Sequence, residues 1–156
     1  MLRVDIPGRR AYEFENLVLD VNGTIAEGGA LLPGLAGALA PLRDTLTIVG
    51  VTADAHGTAA SLGAELGIEV RVISPGGEAD QKLAVIESLG ADATVAIGNG
   101  ANDALMLAAA GIGIAVIGPE GAARIALEAA DVVVTDVRHA LAMLADPARL
   151  AATLRG

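Results

Sequence analysis

Apolar residues follow two rhythms along this chain. In short β-prone runs they fall close together, at 17–21, 45–51, 68–73, 94–97, 112–117 and 132–135. Apolar positions packed this closely and bounded by turns mark strands covered on both faces, as in a parallel sheet. Between these runs apolar residues recur at helical spacing, over 33–43, 57–66, 78–89, 104–109, 120–129 and 138–154. Pro33 falls in the first turn of the first helix, and Gly67 and Gly90 stop the second and third. Pro147 is expected to break the last. The start of the chain reads differently. Residues 3–6 and 11–15 flank Pro7-Gly8-Arg9-Arg10, and Tyr12 and Phe14 alternate with Glu13 and Glu15. That pattern predicts a β-hairpin with one buried and one wet face. The glycine-rich residues 27–32 are expected to form a loop. Strand and helix then alternate to the end of the chain, which predicts an open α/β sheet, mostly parallel, with helices on both faces. One domain is expected from 156 residues. It divides into an N-terminal hairpin (1–16), a core (17–135) and a C-terminal helical region (136–156).

Composition narrows the picture. Hydrophobic residues make up 53% of the chain but aromatic ones only 1%, so the core must be filled by Ala, Leu, Ile and Val. A net charge of −9 argues against nucleic acid and anionic membrane surfaces as partners. The sequence has no cysteine, hence neither disulfides nor thiolate metal sites, which is compatible with a cytoplasmic protein. No apolar segment follows Met1-Leu2-Arg3-Val4-Asp5, so no signal peptide is expected. The uncharged runs 28–42 and 104–119 are interrupted by Pro33 and Pro41, and by Gly111, Gly113 and Gly118. Neither predicts a membrane span.

Candidate chemistry gathers where predicted strands end. The strand at 17–21 runs into Asp20-Val21-Asn22-Gly23-Thr24, and that at 45–51 into Thr52-Ala53-Asp54. Lys82 sits on the helix at 78–89, and the strand at 94–97 runs into Gly98-Asn99-Gly100-Ala101-Asn102-Asp103. Carboxyl ends of parallel strands share one edge of the sheet, where open α/β folds bind ligands. There Asp20 could attack a phosphoryl group, and Thr52 could hydrogen-bond its oxygens. Lys82 could neutralise its charge, and Asn99 and Asp103 could hold Mg²⁺ through oxygen. The turn Asn22-Gly23-Thr24 could aim N–H groups and a hydroxyl at an anion. Plainer readings stand beside each of these. Asp20 could simply bond local N–H groups, Thr52 and Asp54 could serve the start of the next helix, and Lys82 could be solvated.

The four motifs in this order resemble the haloacid dehalogenase superfamily, and more narrowly the phosphorylation domain of P-type ATPases. Asp20–Thr24 reads DVNGT against that family's DKTGT. Residues 51–68 follow its Thr-Gly-Asp, Thr-Ala, Leu-Gly-Ile series, and 98–107 reads GNGANDALML against Gly-Asp-Gly-x-Asn-Asp. Ala129-Ala130-Asp131-Val132-Val133 matches a stretch further on. The resemblance covers about 17–134 and points to the small group of soluble P-type-ATPase-like proteins. It implies a three-layer Rossmann-like fold and a Mg²⁺-dependent phosphohydrolase forming an aspartyl-phosphate on Asp20. Catalysis would involve Asn22, Thr52 and Lys82. Phosphate would lie against Gly23, Thr24, Thr52, Ala53, Lys82 and Asn102, and metal against Asp20, Asn22, Asn99 and Asp103. Only 27 residues separate Thr24 from Thr52, and 29 separate Thr52 from Lys82. Both gaps are filled by predicted elements, so neither a nucleotide-binding domain nor a cap fits. ATP-driven transport by this chain alone is excluded, and a capless, open site is expected.

Two departures bear on activity. Asn22 stands where phosphatases of the superfamily carry an acid/base aspartate, which implies slow dephosphorylation. Asn99 stands where the family has a metal-binding aspartate, which implies weaker metal affinity. Two functions therefore remain: a slow phosphohydrolase acting on a small phosphorylated molecule or a phosphoprotein, or a non-catalytic domain binding phosphate, metal or a partner. An open site and a half-apolar hairpin lead to an expected homo-oligomer. Glu27, His56 and His139 read as surface residues, and Gly111 and Gly113 as packing glycines.

Overall fold

In the computed structural model, which describes residues 1–54 and 57–156, a hairpin precedes the main sheet. Its strands are β1 (Leu2–Asp5) and β2 (Ala11–Phe14), paired antiparallel. The alternation works as expected: Val4 and Phe14 are fully buried, while Arg3 and Glu13 face water. The chain continues through β3 (Asn16–Asp20) into a flap of two short strands, β4 (Ala26–Glu27) and β5 (Ala30–Leu31). The loop expected at 27–32 is thus a miniature hairpin, with Gly28 and Gly29 taking its tip through positive φ.

Then follow α1 (Leu35–Leu39), β6 (Thr47–Thr52), α2 (Thr58–Leu66), β7 (Glu69–Val72), α3 (Glu78–Leu89) and β8 (Thr94–Gly98). The chain closes with α4 (Ala104–Ala109), β9 (Ile112–Val116), α5 (Arg124–Ala129), β10 (Val132–Val134), α6 (Val137–Ala145) and α7 (Pro147–Leu154). Two helices are shorter than their sequence suggests. The one expected over 33–43 starts after Gly34, whose φ is +78°, and gives way at Ala40–Leu42 to a 3₁₀ turn containing Pro41. The one expected from residue 120 waits until Arg124, because Gly118–Gly121 close a tight turn. Asp146 ends α6, and Pro147 opens α7 at a position where its missing N–H costs nothing.

The main sheet has six strands in the order β10-β9-β8-β3-β6-β7, and every neighbouring pair is parallel. Strand β3 lies inside the sheet, between β8 and β6, and all five of its residues are buried. Its side chains alternate between two cores. Leu17 and Leu19 join the hairpin, α1, α2, α6 and α7, while Val18 joins α3, α4 and α5 on the other face. The apolar face of the hairpin packs on α7. It is therefore occupied within the chain and lends no support to the expected self-association. Gly113 shows how closely β9 lies against α4, since a Cβ there would stand 2.2 Å from the Leu107 carbonyl oxygen. Gly111 is likewise hemmed in by Asp92 and Phe14. Among the described residues no helix is long and apolar enough to cross a membrane.

Candidate active site

The parallel order brings the ends of β3, β6 and β8 side by side, and α3 delivers Lys82 to the same edge. A cavity of about 330 Å³ opens there, lined by Asp20, Asn22, Thr52, Ala53, Asp54, Lys82, Asn99, Gly100 and Asn102. Seven of the ten residues expected from sequence line it; Gly23, Thr24 and Asp103 do not.

At its floor lies a buried charge cluster. The Lys82 ammonium donates to Asp20 Oδ1 and Asp103 Oδ1, both at 2.7 Å, and to Asn102 Oδ1 at 3.2 Å. Lys82 is 2% exposed, Asp20 6% and Asp103 0%, so this is a desolvated triad and not a solvated lysine on a helix surface. Burial raises the Asp20 carboxyl to about 6, and the Asp103 charge adds to the rise, while Lys82 and the Thr24 hydroxyl act against it. Burial is also the largest influence on Lys82 and acts against its charge. The two carboxylates together outweigh it, and the ammonium is held above its ordinary value.

Asp103 has both oxygens engaged. While Oδ1 receives Lys82, Oδ2 accepts the backbone N–H groups of Asn99 (3.0 Å) and Gly100 (2.8 Å). Its expected place as a metal ligand is not what the geometry provides. The loop following β8 folds back on itself, and Asp103 closes that turn beneath the cavity.

Gly23 and Thr24 are also placed differently from expectation. The Gly23 N–H goes to the Ala26 carbonyl at 2.7 Å and the Thr24 N–H to the Val21 carbonyl at 3.2 Å. These bonds close the turn instead of facing an anion. The Thr24 hydroxyl lies 3.1 Å from Asp20 Oδ2 and 3.2 Å from Asn99 Oδ1, to either of which it can donate. Gly23 is needed twice over: its φ is +82°, and a Cβ would lie 2.5 Å from Asn99 Nδ2.

Asn99 is more than an aspartate lacking a charge. Its Nδ2 donates to the Gly121 carbonyl at 3.2 Å, while its own backbone carbonyl accepts the Ala123 N–H at 2.8 Å. A carboxylate could not make the first of these bonds. Gly121 and Ala123, which anchor Asn99, were not anticipated. They lie more than twenty residues away in sequence, in a turn with no chemical signature of its own. Thr52 Oγ1 accepts the Asp54 N–H at 3.1 Å and keeps its proton for another partner. Asp54 accepts the Thr58 hydroxyl at 2.7 Å, which fits its expected service to the start of α2, although it also lines the cavity. Asn22, Glu27 and His139 are exposed, and His56 lies outside the described residues.

An oxygen-rich, open cavity with two carboxylates, one ammonium and several amides could take a phosphoryl group. For a divalent metal the available donors are the Asp20 carboxylate, the Asn99 amide oxygen and the Asn22 carbonyl. All are hard oxygen ligands, but only one is charged. They fit Mg²⁺, which is commonly held by one or two carboxylates together with substrate phosphate.

Residues 3–111 match the family of haloacid dehalogenase-like hydrolases. An uncharacterized protein of Methanocaldococcus jannaschii is 43% identical over 84 residues, 51% of this chain and 90% of that protein. The catalytic domain of the CPx-ATPase CopB-B superposes with a TM-score of 0.64 at 27% identity, covering 75% of this chain and 46% of that one. The 3-deoxy-D-manno-octulosonate 8-phosphate phosphatase of Moraxella catarrhalis, solved with magnesium and phosphate ions, superposes with a TM-score of 0.70 at 17% identity. That match covers 86% of this chain and 87% of the phosphatase.

Proposed function

Since the chain belongs to the haloacid dehalogenase-like hydrolase family, we propose that it is a slow, Mg²⁺-dependent phosphohydrolase acting through an aspartyl-phosphate on Asp20. The observation that carries this reading is the buried triad, in which Lys82 holds Asp20 at 2.7 Å on the floor of an open polar cavity. An aspartate kept only for local turn bonding would not need a desolvated ammonium as its partner.

Asp20 Oδ attacks phosphorus as the bond to the leaving oxygen breaks, and water then cleaves the acyl-phosphate to regenerate the carboxylate. Lys82 already uses all three of its N–H groups. A phosphoryl oxygen would take the place of its longest contact, that to Asn102. Thr52 donates its free proton to a second oxygen. Asp103 holds Lys82 and the loop carrying Asn99, and so acts as a positioning residue. When bound, Mg²⁺ would draw off charge from the transferring group, held by Asp20, Asn99 and the Asn22 carbonyl. Asn22 has no proton to give the leaving oxygen and cannot activate water, so both must be served by solvent and turnover is low. Among the described residues, the cavity lining carries no aromatic side chain. It reads the phosphoryl group more than what the group is attached to, which suits a small phosphorylated molecule or a phosphoprotein. The Moraxella enzyme, named for a small sugar phosphate, supports the first of these.

Incubation with an aryl phosphate and Mg²⁺, followed by acid quench and intact-mass analysis, tests the reading. The wild type should accumulate a phosphoprotein that Asp20→Asn lacks, and Asn22→Asp should raise turnover by up to roughly 10²–10⁴-fold. Equal turnover in wild type and Asp20→Asn would end the covalent reading, and no turnover in either would leave the non-catalytic one.

A further inference from the structure

We propose that the cavity between the flap and the ends of β9 and β10 is a second binding site, for a small uncharged carbonyl compound, and that its occupant is felt at Asn99 through a shared wall. The space measures about 250 Å³, and among the described residues its lining has none in common with the cavity that holds Asp20. Binding there does not depend on turnover at Asp20.

The lining sets the chemistry of the occupant. Leu32, Val116, Ile117 and Val137 give branched apolar walls; Val116 and Val137 are buried, while Ile117 is 42% exposed and open to further cover. The only charged side chains among the described lining residues are Asp136 and Arg138, and their charges cancel. Arg138 Nε donates to Asp136 Oδ1 at 2.8 Å and Nη2 to Oδ2 at 2.6 Å, while the Arg138 backbone N–H gives Oδ1 a further bond at 2.9 Å. The guanidinium holds the Asp136 carboxyl well below its ordinary value, so the pair stays intact at neutral pH. An anion would compete with Asp136, and a cation with Arg138; an uncharged molecule does neither. Spare hydrogen-bonding capacity lies on the donor side. Arg138 Nη1 donates to the Pro33 carbonyl at 3.0 Å, and the guanidinium still carries more N–H groups than these bonds use. A carbonyl oxygen is an acceptor that brings no charge. At about 250 Å³ the cavity falls below the roughly 300–1,000 Å³ usual for drug-sized ligands, so the occupant is small.

The two cavities lie back to back. Thr24 lines this one, yet its hydroxyl reaches Asp20 Oδ2 at 3.1 Å and Asn99 Oδ1 at 3.2 Å, and both of those residues line the other. Gly118 and Pro119 also line it, and they belong to the turn whose Gly121 carbonyl receives Asn99 Nδ2 at 3.2 Å. That turn sits directly on the end of β3, since a Cβ on Gly118 would stand 3.1 Å from the Gly23 carbonyl oxygen. A molecule resting against Thr24 and Gly118 therefore touches the supports of both ends of the Asn99 amide. The space is formed in advance of any ligand, because Arg138 ties Pro33, at the trailing end of the flap, to α6.

Methyl and side-chain amide NMR of the full chain at neutral pH reads both parts of this at once, with no phosphate ester present. The probes are cyclohexanecarboxamide, cyclohexanecarboxylate and cyclohexylmethylamine, which share one apolar body and differ in charge. The carboxamide should shift the methyl signals of Leu32, Val116, Ile117 and Val137 together with the side-chain amide signal of Asn99. All should saturate with one Kd of about 1 mM, as befits so small a ligand. The two charged probes should bind at least about tenfold more weakly. Thr135→Trp, at an exposed position in the lining, should fill the cavity and abolish the shifts while circular dichroism stays unchanged. If that variant does not fold, Ile117→Trp serves the same end. No methyl shift with the carboxamide at about 20 mM overturns the site. Equal binding of all three probes overturns the ligand class, and methyl shifts with Asn99 unmoved overturn the shared wall. Shifts that persist in the filled variant place the probe elsewhere and overturn the site as well.

Discussion

At the scale of single residues, Asp20 is held in a state that folding does not favour. Its carboxyl titrates at about 6 in the folded chain, against an ordinary 3.8. Between those two values the folded state keeps a proton that the unfolded state has lost. Raising the pH across that window therefore lowers stability, and the loss is complete above the folded value. Asp20→Asn removes the titration while preserving shape. The variant should match the wild type below about pH 4 and exceed it above about pH 6, by on the order of 3 kcal/mol. Urea unfolding at both ends of the window measures the difference. Equal stability at neutral pH would mean that Lys82 fully compensates the buried charge. The order of motifs was enough to place Asp20, Thr52 and Lys82 at one cavity, because strand ends of a parallel sheet meet on one edge. It did not separate the tasks of Asn99 and Asp103. Two oxygen-bearing residues four positions apart look equivalent in one dimension. Only the turn that points one upward and seals the other beneath tells them apart.

At the scale of elements, the strands were the most legible part, since closely spaced apolar residues mark most of them, although the edge strand β7 reads Glu-Val-Arg-Val and is only half covered. Helix ends were less so. Residues 120–123 have the composition of a helix start, but they are drawn into the turn that anchors Asn99. Tertiary contacts override propensity there. The flap β4–β5 escaped notice because two-residue strands leave no periodicity to read. The pairing of β9 with α4 depends on Gly113. Ala at that position would drive a methyl group into the Leu107 carbonyl, with backbone on both sides of the clash. Gly113→Ala should destabilise the fold by at least ~1–3 kcal/mol. Chemical denaturation checks this, and an unchanged midpoint would show that β9 can move away from α4.

At the scale of the whole molecule, two features bear on self-association. The hairpin is committed to α7, as described, which leaves the outer edge of the sheet. At one of the sheet's two edges β10 has, among the described residues, no strand partner on its outer side, and Val133 is 48% exposed, Ile117 42% and Ile125 54% on the segments leading to it. A two-fold dimer pairing this edge is expected. Sedimentation should give at least twice the 15.5 kDa chain mass, and Val133→Lys should return the monomer. A wild-type monomer at tens of micromolar, on the order used in such runs, removes the expectation. The interior position of β3 has a different consequence, one of timing. This strand leaves the ribosome early, but its two flanks, β6 and β8, are made later, and β8 only after α3. Until then a strand with three consecutive apolar residues and two open edges waits for its neighbours, and chains dominated by such distant pairings fold slowly. The residues that line the cavity are thus brought together last, when Asn99 meets the turn at Gly121. A nascent chain stalled before β8 leaves one edge of β3 unpaired and lacks Asn99 at the cavity.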